Sequence, residues 1–538
     1  MRSRLPRAGF SVDTSWTPVY FWIQVQKWTR IYKWTQVYQA RAVGSRHRCR
    51  GLRRERETTV SKATISMPTV EAARNAPERL DRRILAIGGV VVLGAIMAML
   101  DITVVNVALE DLIVEFDTTL TTMQWVATGY TLALATVIPL SGWAADRFGA
   151  KRVYLAAVFL FMVGSALAGT AWSAGALILF RGLQGLGGGM LLPLSMTILT
   201  SAAGPGRIGR VMAVLGIAIG LGPVLGPVLG GWLVDDVSWR AIFFVNVPVG
   251  VLTLILGARV LPMDERRPTE KLDVPGLLLL SPGLAALIYG LAQVPSREGL
   301  AHPEVYLPAG CGAVLVIAFL WHAARTPRAL IDLKLFGNRN FSLAAAIMAL
   351  FMITFFGTML LFPLYFQQVR AETALNAGLL VAPQGIGAMI MMPLAGRLVD
   401  RGYAARTVPL GIVVIAAAMV LLTQLTDTTP YWAIGVALFV MGFGMGMVGM
   451  PNMSIALKSL KPQDVAHAST SLTIIQQVAA SVGTAMLSVI LFNEIKDRQS
   501  LATPIADAYA STFVWALVFL ILSLIPALLR LRGTKTPA

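Results

Sequence analysis

Apolar runs punctuated by short polar clusters recur along the chain from residue 84 to residue 530. A helix rises about 1.5 Å per residue, so roughly 20 apolar residues cross the hydrocarbon core of a bilayer. Backbone groups in lipid have no water to bond, which leaves helix as the economical way to span it. Fourteen runs are legible, with approximate cores at residues 84–107, 122–144, 153–171, 174–199, 210–233, 240–261, 274–294, 306–323, 342–366, 376–396, 407–426, 431–456, 467–492 and 510–530. They predict an all-α polytopic membrane protein. The polar clusters are asymmetric: Arg147, Lys151, Arg152, Arg207, Arg210, Arg259, Arg266, Arg267, Lys271, Arg325, Arg328, Lys334, Arg339, Arg397, Arg401, Arg406, Lys458 and Lys461 fall on one side. The other side has only Arg240, Arg297, Arg370, Lys496 and Arg498. The positive-inside rule therefore predicts that both termini are cytoplasmic.

Composition agrees with the pattern, because 56% hydrophobic and 14% charged residues leave too few charges to coat 538 residues in water. A formal charge of +17 suggests nucleic-acid binding until it is located. Residues 1–80 hold 16 Lys and Arg against 5 Asp and Glu, or +11 of the total. Within that stretch Trp16, Trp22, Trp28 and Trp34 recur every six residues, a period of neither helix nor strand. It reads as a translated upstream DNA repeat, followed by the basic run from Arg46 to Arg56, with the true start near Val60 or Met67. The alternatives are a disordered basic tail on anionic lipid and an aromatic, basic nucleic-acid arm. No cleavable signal peptide is visible, since the first apolar run starts at Ile84 and is too long.

An internal repeat organises the rest. Gly142-Trp-Ala-Ala-Asp146-Arg147 after the second run is echoed by Gly396-Arg-Leu-Val-Asp400-Arg401 after the tenth. Equivalent placement points to two parallel halves of six helices around an inserted pair, an arrangement of alternating-access transporters. The expected division is residues 1–80 as an extension, 81–262 and 341–538 as six-helix bundles, and 263–340 as the inserted two-helix segment.

Three stretches carry chemistry. The first run places Asp101 and Asn106 inside an apolar helix, and an acid at membrane depth is a functional candidate because lipid penalises it. Desolvation would raise its pKa toward a range in which it can take and release protons. The plainer reading is an acid hydrated near the outer interface. The fourth run holds Arg181, a permanent cation that demands acceptors, with Gln184 one turn on and Gly185, Gly187, Gly188 and Gly189 after it. Helix rise puts Arg181 in the same outer half as Asp101, so the arginine is expected to modulate proton exchange there, with Gln184 as a network member. In the fifth run Gly222, Gly226 and Gly230 lie four apart, followed by Gly231, while Pro223 and Pro227 remove helical hydrogen bonds. That pattern suits a close-packed, bendable seam, or plain helix contact.

The loop from Gly142 through Asp146, Arg147, Gly149 and Lys151 to Arg152 reads either as a breakable charge latch, with Asp400 and Arg401 as its second copy, or as topology-setting charge. The Met-rich stretches at residues 389–392 and 441–453 suit core filling ahead of an adaptable cavity wall. Cys49, Cys311 and the four histidines are scattered, so neither a disulfide framework nor a metal site is suggested. Gly444, Gly446 and Gly449 match a dinucleotide fingerprint by letter but sit inside an apolar run. No P-loop, GxSxG elbow or zinc cluster occurs. The reading is therefore no enzyme, no cofactor, and energy from an ion gradient or a partner.

Together these stretches resemble the signature motifs of the major facilitator superfamily, specifically its fourteen-span drug:proton antiporters of the EmrB/QacA type, over roughly residues 80–535. The segments at 100–109, 142–152, 178–189 and 222–231 are similar to the first-helix, cytoplasmic-loop, arginine and antiporter motifs, and those at 239–250 and 363–367 to stretches common in the subfamily. Ala150 and Glu110 depart from the usual basic residue and proline. The resemblance implies the major facilitator fold in a bacterial cytoplasmic membrane. It implies that Asp101 and Arg181 couple protons to substrate, that Asp146 and Arg147 gate the cytoplasmic side, and that the Gly-Pro seam shapes an efflux path. The expected function is proton-driven export of small hydrophobic or cationic compounds bound between the halves. A dedicated exporter of one metabolite, antibiotic, lipid or siderophore is the alternative, and a channel or sensor a remoter one. Partners are substrates, protons and lipid rather than nucleic acid, with an accessory periplasmic or envelope protein a further possible one.

Overall fold

The computed structural model describes residues 81–204, 207–263, 271–297, 299–326, 329–501 and 505–533; the reading of residues 1–80 lies outside the described residues. Seventeen α-helices and no strand occur among those described. They are α1 Arg82–Val107, α2 Leu109–Glu115, α3 Leu120–Val137, α4 Leu140–Phe148, α5 Ala150–Gly169, α6 Ala174–Ala203, α7 Ile208–Asp236, α8 Ala241–Phe244 and α9 Asn246–Val260 in the first part of the chain. Then come α10 Val274–Ala292, α11 Pro303–Arg325, α12 Arg339–Gln368, α13 Ala374–Asp400, α14 Ala404–Leu422, α15 Tyr431–Lys458, α16 Val465–Leu501 and α17 Ile505–Gly533.

Among the described residues twelve helices, one of them formed by α8 running into α9, are long and apolar enough to cross a membrane. The bent pair α3 and α4 makes a thirteenth, and the remaining apolar run lies in the 29-residue α7. The bend of 54° falls at Pro139, whose ring forbids the continuing helical hydrogen bond. Between α4 and α5 the chain turns through Gly149 at φ +90°, a conformation costly to a side chain. Trp172, Trp321 and Trp432 stand exposed near helix ends, where an amphipathic ring suits the membrane interface. Leu179, Phe159, Leu278, Val314 and Ile525 present apolar side chains outward between them, as lipid contact requires.

Helices α1 to α9 pack among themselves, and so do α12 to α17. The inserted pair α10 and α11 packs together and rests on α3 and α16. Its glycines set the spacing: a Cβ on Gly312 would lie 2.3 Å from the Leu287 nitrogen, and one on Gly290 2.5 Å from the Ala309 nitrogen. Across the halves, α7 packs on α13 and α15, and α16 packs on α4 and α6.

Within the first half, α1 and α7 meet through the small-residue stripe. Cβ atoms on Gly222, Gly226 and Gly230 would stand 2.9 Å from Met99 Cβ, 1.9 Å from Thr103 Oγ1 and 3.2 Å from Val104 Cγ1. The close approach lets the Thr103 hydroxyl donate to the Gly222 carbonyl at 3.2 Å. Gly231 points elsewhere, with nothing within 4 Å of its Cβ position. The side chains of Pro223 and Pro227 lie outside the described residues.

Because the Thr103 side chain, tied by its hydroxyl to the Leu100 and Gly222 carbonyls, fills that space, Gly226→Ala is expected to cut the yield of monodisperse protein severalfold, and Thr103→Gly to restore part of it. Size-exclusion profiles of the single and double variants in detergent check this; a monodisperse Gly226→Ala protein at normal yield would contradict the packing.

Candidate functional site

Asp101 sits on α1 six residues before its end, 2% exposed, with its carboxylate turned into the bundle. Arg181 reaches it from α6, Nη1 to Oδ2, and is 1% exposed. The Gln184 amide donates to Asp101 Oδ1 at 2.7 Å and its carbonyl accepts from Arg181 Nη1 at 2.7 Å, closing a three-membered polar ring. Asn246 of α9 donates to the same Oδ1 at 3.2 Å and to Ser165 of α5 at 3.0 Å. Arg181 Nε donates to the Val126 carbonyl of α3 at 3.3 Å, and its guanidinium lies 4.2 Å from the Tyr130 ring centroid and 5.8 Å from that of Phe243. One buried carboxylate thus ties together side chains from four helices.

Glycines make this possible. A Cβ on Gly164 would lie 2.6 Å from the Gln184 nitrogen, one on Gly185 2.4 Å from the Tyr130 carbonyl, and one on Gly188 2.6 Å from the Tyr130 hydroxyl. The run after Arg181 therefore lets α3 and α5 close over α6, so that low-dielectric surroundings strengthen the ion pair. The Tyr130 hydroxyl is buried and has no hydrogen-bond partner among the described residues.

The loop acids lie at the other, Arg- and Lys-rich end, and each reaches across to the opposite half. Asp400 of α13 accepts from the Gly209 and Arg210 backbone nitrogens at 2.8 and 3.2 Å, from Arg210 Nε at 3.0 Å and from Lys458 Nζ at 3.1 Å. A carboxylate there satisfies free N–H groups at the start of α7 and meets the positive end of its dipole. Asp146 of α4 lies 3.1 Å from His467 Nε2 near the start of α16, and His467 Nδ1 is 3.4 Å from the Leu330 carbonyl. Beside it Ser141 and Thr470 share a hydrogen bond at 3.0 Å. Gly142 keeps this seam tight, since its Cβ would lie 3.1 Å from Thr470 Oγ1. Leu330 also donates its N–H to Asp273 at 3.1 Å, and His322 Nε2 lies 2.9 Å from the same acid, so the inserted pair is fastened to this junction.

A cavity of about 150 Å³ lies among α7, α12, α13 and α15. Phe351, Phe355, Gln384, Met392, Met445 and Met450 line it, with Gly220 of α7 as the contribution from the first half. Methionine therefore serves both expected uses, since Met441 and Met453 are buried in the core while Met392, Met445 and Met450 face the cavity. Gly444 and Gly446 pack α15 on α14 and α13, which agrees with rejecting the nucleotide reading: their Cβ atoms would lie 2.6 Å from Ile415 Cγ1 and 2.9 Å from the Ala388 carbonyl.

Of the residues singled out from sequence, Asp101, Arg181 and Gln184 come together, Gly142 and Asp146 lie at one cross-half junction, and Asp400 lies at another. Lys151 instead donates to the Ala258 and Leu261 carbonyls at 2.7 and 2.8 Å, closing the end of α9 within its own half. Among the described residues no ion pair joins Arg147, Arg152 or Arg401 to Asp146 or Asp400. The side chain of Asn106 lies outside the described residues. Sequence reasoning missed Asn246, an amide within an apolar run that the rule applied to Asp101 would have found. It also missed His467, Arg210 and Lys458 as partners, for which no local signal exists.

Long apolar helices, an ion pair held inside them and two halves joined at one end define a multi-pass membrane transporter rather than an enzyme. A family model described as Major Facilitator Superfamily matches residues 91–484. The chain is 44% identical over 435 residues to a multidrug resistance protein B homolog of Mycobacterium tuberculosis, covering 80% of each chain. It is 32% identical over 414 residues to the multidrug export protein EmrB of Haemophilus influenzae, covering 74% of this chain and 79% of the relative. The chain belongs to the major facilitator superfamily and, within it, to the drug:proton antiporter family. Among solved structures, the human organic anion transporter MFSD10 matches with a TM-score of 0.58 at 16% identity, over 82% of this chain and 100% of that one. The proton:xylose symporter XylE matches at 0.55 and 16%, over 82% and 95%. At such identities these two speak for the fold alone.

Removing one member of a buried ion pair strands the other charge, at a cost of about 3–5 kcal/mol. Arg181→Ala is expected to lower the thermal midpoint of the purified protein markedly, and Asp101→Asn added to it to recover part of the loss. Equal, additive losses in this double-mutant cycle would show that the two side chains are not coupled.

Proposed function

We propose that this transporter exports small, predominantly apolar compounds in exchange for protons, by alternating access. The observation that carries the reading is the Asp101–Arg181 pair, the one place among the described residues where a carboxylate buried in the apolar bundle meets a buried guanidinium. Ionised, Asp101 accepts hydrogen bonds from Arg181, Gln184 and Asn246 and holds α1, α6 and α9 together. Protonated, it loses the attraction of Arg181 and at least one of its acceptor sites, so the proton competes directly with the guanidinium. A proton taken up here therefore loosens one inter-helix junction, and its release restores it.

Helix α7 carries the consequence across the protein. Its glycine stripe is keyed to α1 at Met99 and Thr103, on either side of Asp101, and its start is held by Asp400 of the opposite half. Gly216 and Gly220 between them face Met392, Met450 and Met389, at and beside the cavity. A shift of α1 is passed along α7 to the cavity and the Asp400 junction, which is the two-state element that alternating access needs. The basic end is the cytoplasmic one on the positive-inside rule, so the conformation described is closed toward the cytoplasm. The names of the relatives support the cargo: multidrug resistance and multidrug export.

Two outcomes are expected. In proteoliposomes, efflux of a hydrophobic dye should stop when the proton gradient is collapsed and should fall to background in Asp101→Asn that still inserts normally; gradient-independent transport would defeat the coupling. In a background lacking Cys49 and Cys311, the pair Ser141→Cys and Thr470→Cys should cross-link and arrest transport until reduced. Full transport by the cross-linked protein would show that this junction does not open in the cycle.

A further inference from the structure

Among the described residues the cavity lining includes no Asp, Glu, Lys, Arg or His. Its single amide is Gln384 of α13, 7% exposed. That amide is poorly matched for its depth. Gln384 Nε2 meets only the Met445 thioether sulfur, at 3.3 Å, and its carbonyl oxygen has no hydrogen-bond partner among the described residues. Turning the amide over exchanges which end is left short and supplies no better partner. Sulfur is a weak acceptor, so the amide keeps bonding capacity that no described protein group uses, turned to the cavity where a ligand would sit.

The placement is rigid. A Cβ on Gly442 would lie 1.8 Å from the Gln384 carbonyl carried by the backbone, and one on Gly387 2.2 Å from that of Phe439. α13 and α15 are thus in backbone contact at the residue that presents the amide, which fixes where its side chain starts. The carboxylates of Asp101 and Asp400 are already occupied, Asp101 by Arg181, Gln184 and Asn246, and Asp400 by Arg210 and Lys458. A permanent cation entering this cavity would shed its water and gain no counter-ion, only the faces of Phe351 and Phe355. An uncharged molecule avoids that cost, and one carbonyl, amide or hydroxyl on it would complete the Gln384 amide.

We infer that the cavity selects uncharged, largely apolar molecules bearing one hydrogen-bonding group that docks on Gln384, and discriminates against cations of the same size. That the occupant is the exported cargo rests on the export reading above. The polar group sets specificity because a site built around an amide is left unsatisfied by an analogue lacking the partner, whereas thioethers adapt to varied apolar shapes.

The test uses full-length protein in lipid nanodiscs, with empty nanodiscs as the partition control, and three fluorescent probes of matched size. These are 2-acetylanthracene, 2-ethylanthracene and an anthracenylmethyl trimethylammonium salt. The acetyl compound is expected to bind about tenfold more tightly than the other two, the factor that one well-made hydrogen bond to a buried group supplies. Gln384→Leu and the more conservative Gln384→Met should each bring the acetyl probe to within twofold of the ethyl one, with ethyl binding unchanged. Unchanged ethyl binding also reports that each variant is folded. Gln384→Glu should move the preference toward the cation. Equal binding of acetyl and ethyl probes to the wild type, tightest binding of the cation, or a tenfold gap that survives both neutral variants would overturn the assignment. Discrimination by a protein that moves none of the probes against a proton gradient would strike the export reading and support the site. Export without discrimination would overturn the site alone.

Discussion

A carboxylate and a guanidinium, both taken out of water and set against each other within an apolar bundle, impose the central constraint on this protein. Holding Asp101 or Arg181 there alone would be costly, because stranding one charge of a buried pair costs about 3–5 kcal/mol. Pairing makes the burial tolerable, and Gln184, Asn246 and the Val126 carbonyl absorb the remaining donor and acceptor capacity. The cluster is not chiefly a source of stability, since an apolar filling would serve that end as well. Under the proposed exchange mechanism, its value is that protonation of Asp101 would set the carboxylate and the guanidinium competing for one site.

The glycines around it belong to the same constraint. Gly164, Gly185 and Gly188 bring α3, α5 and α6 close enough to exclude water from the pair, and Gly222, Gly226 and Gly230 do so for α1 against α7. In a membrane, where helices gain little by hiding from lipid, close backbone approach is itself the main attraction between them. The same residues that stabilise the contact are the ones through which the proposed movement of α1 would reach α7. Helix α7 has no slack at either end, being interlocked with α1 near Asp101 and capped by Asp400 at its start.

The two cross-half junctions are related by the sequence repeat but not by chemistry. Asp400 is fully engaged by a helix start and two cations, whereas Asp146 meets a single imidazole that also faces the Leu330 carbonyl. The inserted pair reaches this second junction through Leu330 and Asp273, which gives the extra helices a mechanical connection rather than a purely peripheral place.

Residue order alone determined that this chain is helical and lives in lipid, because span length, charge asymmetry and the need to satisfy backbone groups internally are properties of the linear pattern. It also disclosed Asp101, Arg181, the glycine stripe and the duplicated loop, since a charge or a four-residue glycine period inside an apolar run violates the local rule and so advertises itself. The broken second and sixth runs were less legible, as a bend at Pro139 or between α8 and α9 depends on what packs alongside. Tertiary structure alone decided the partners: that His467, 321 residues from Asp146, stands at its carboxylate, that Asp400 caps α7, that Lys151 serves its own half, and that Gln384 is left short of a partner at a cavity wall. Hydrogen bonds and ion pairs act over a few ångströms in space, and nothing in a linear sequence states which of many distant polar residues the folded helices will bring within that range.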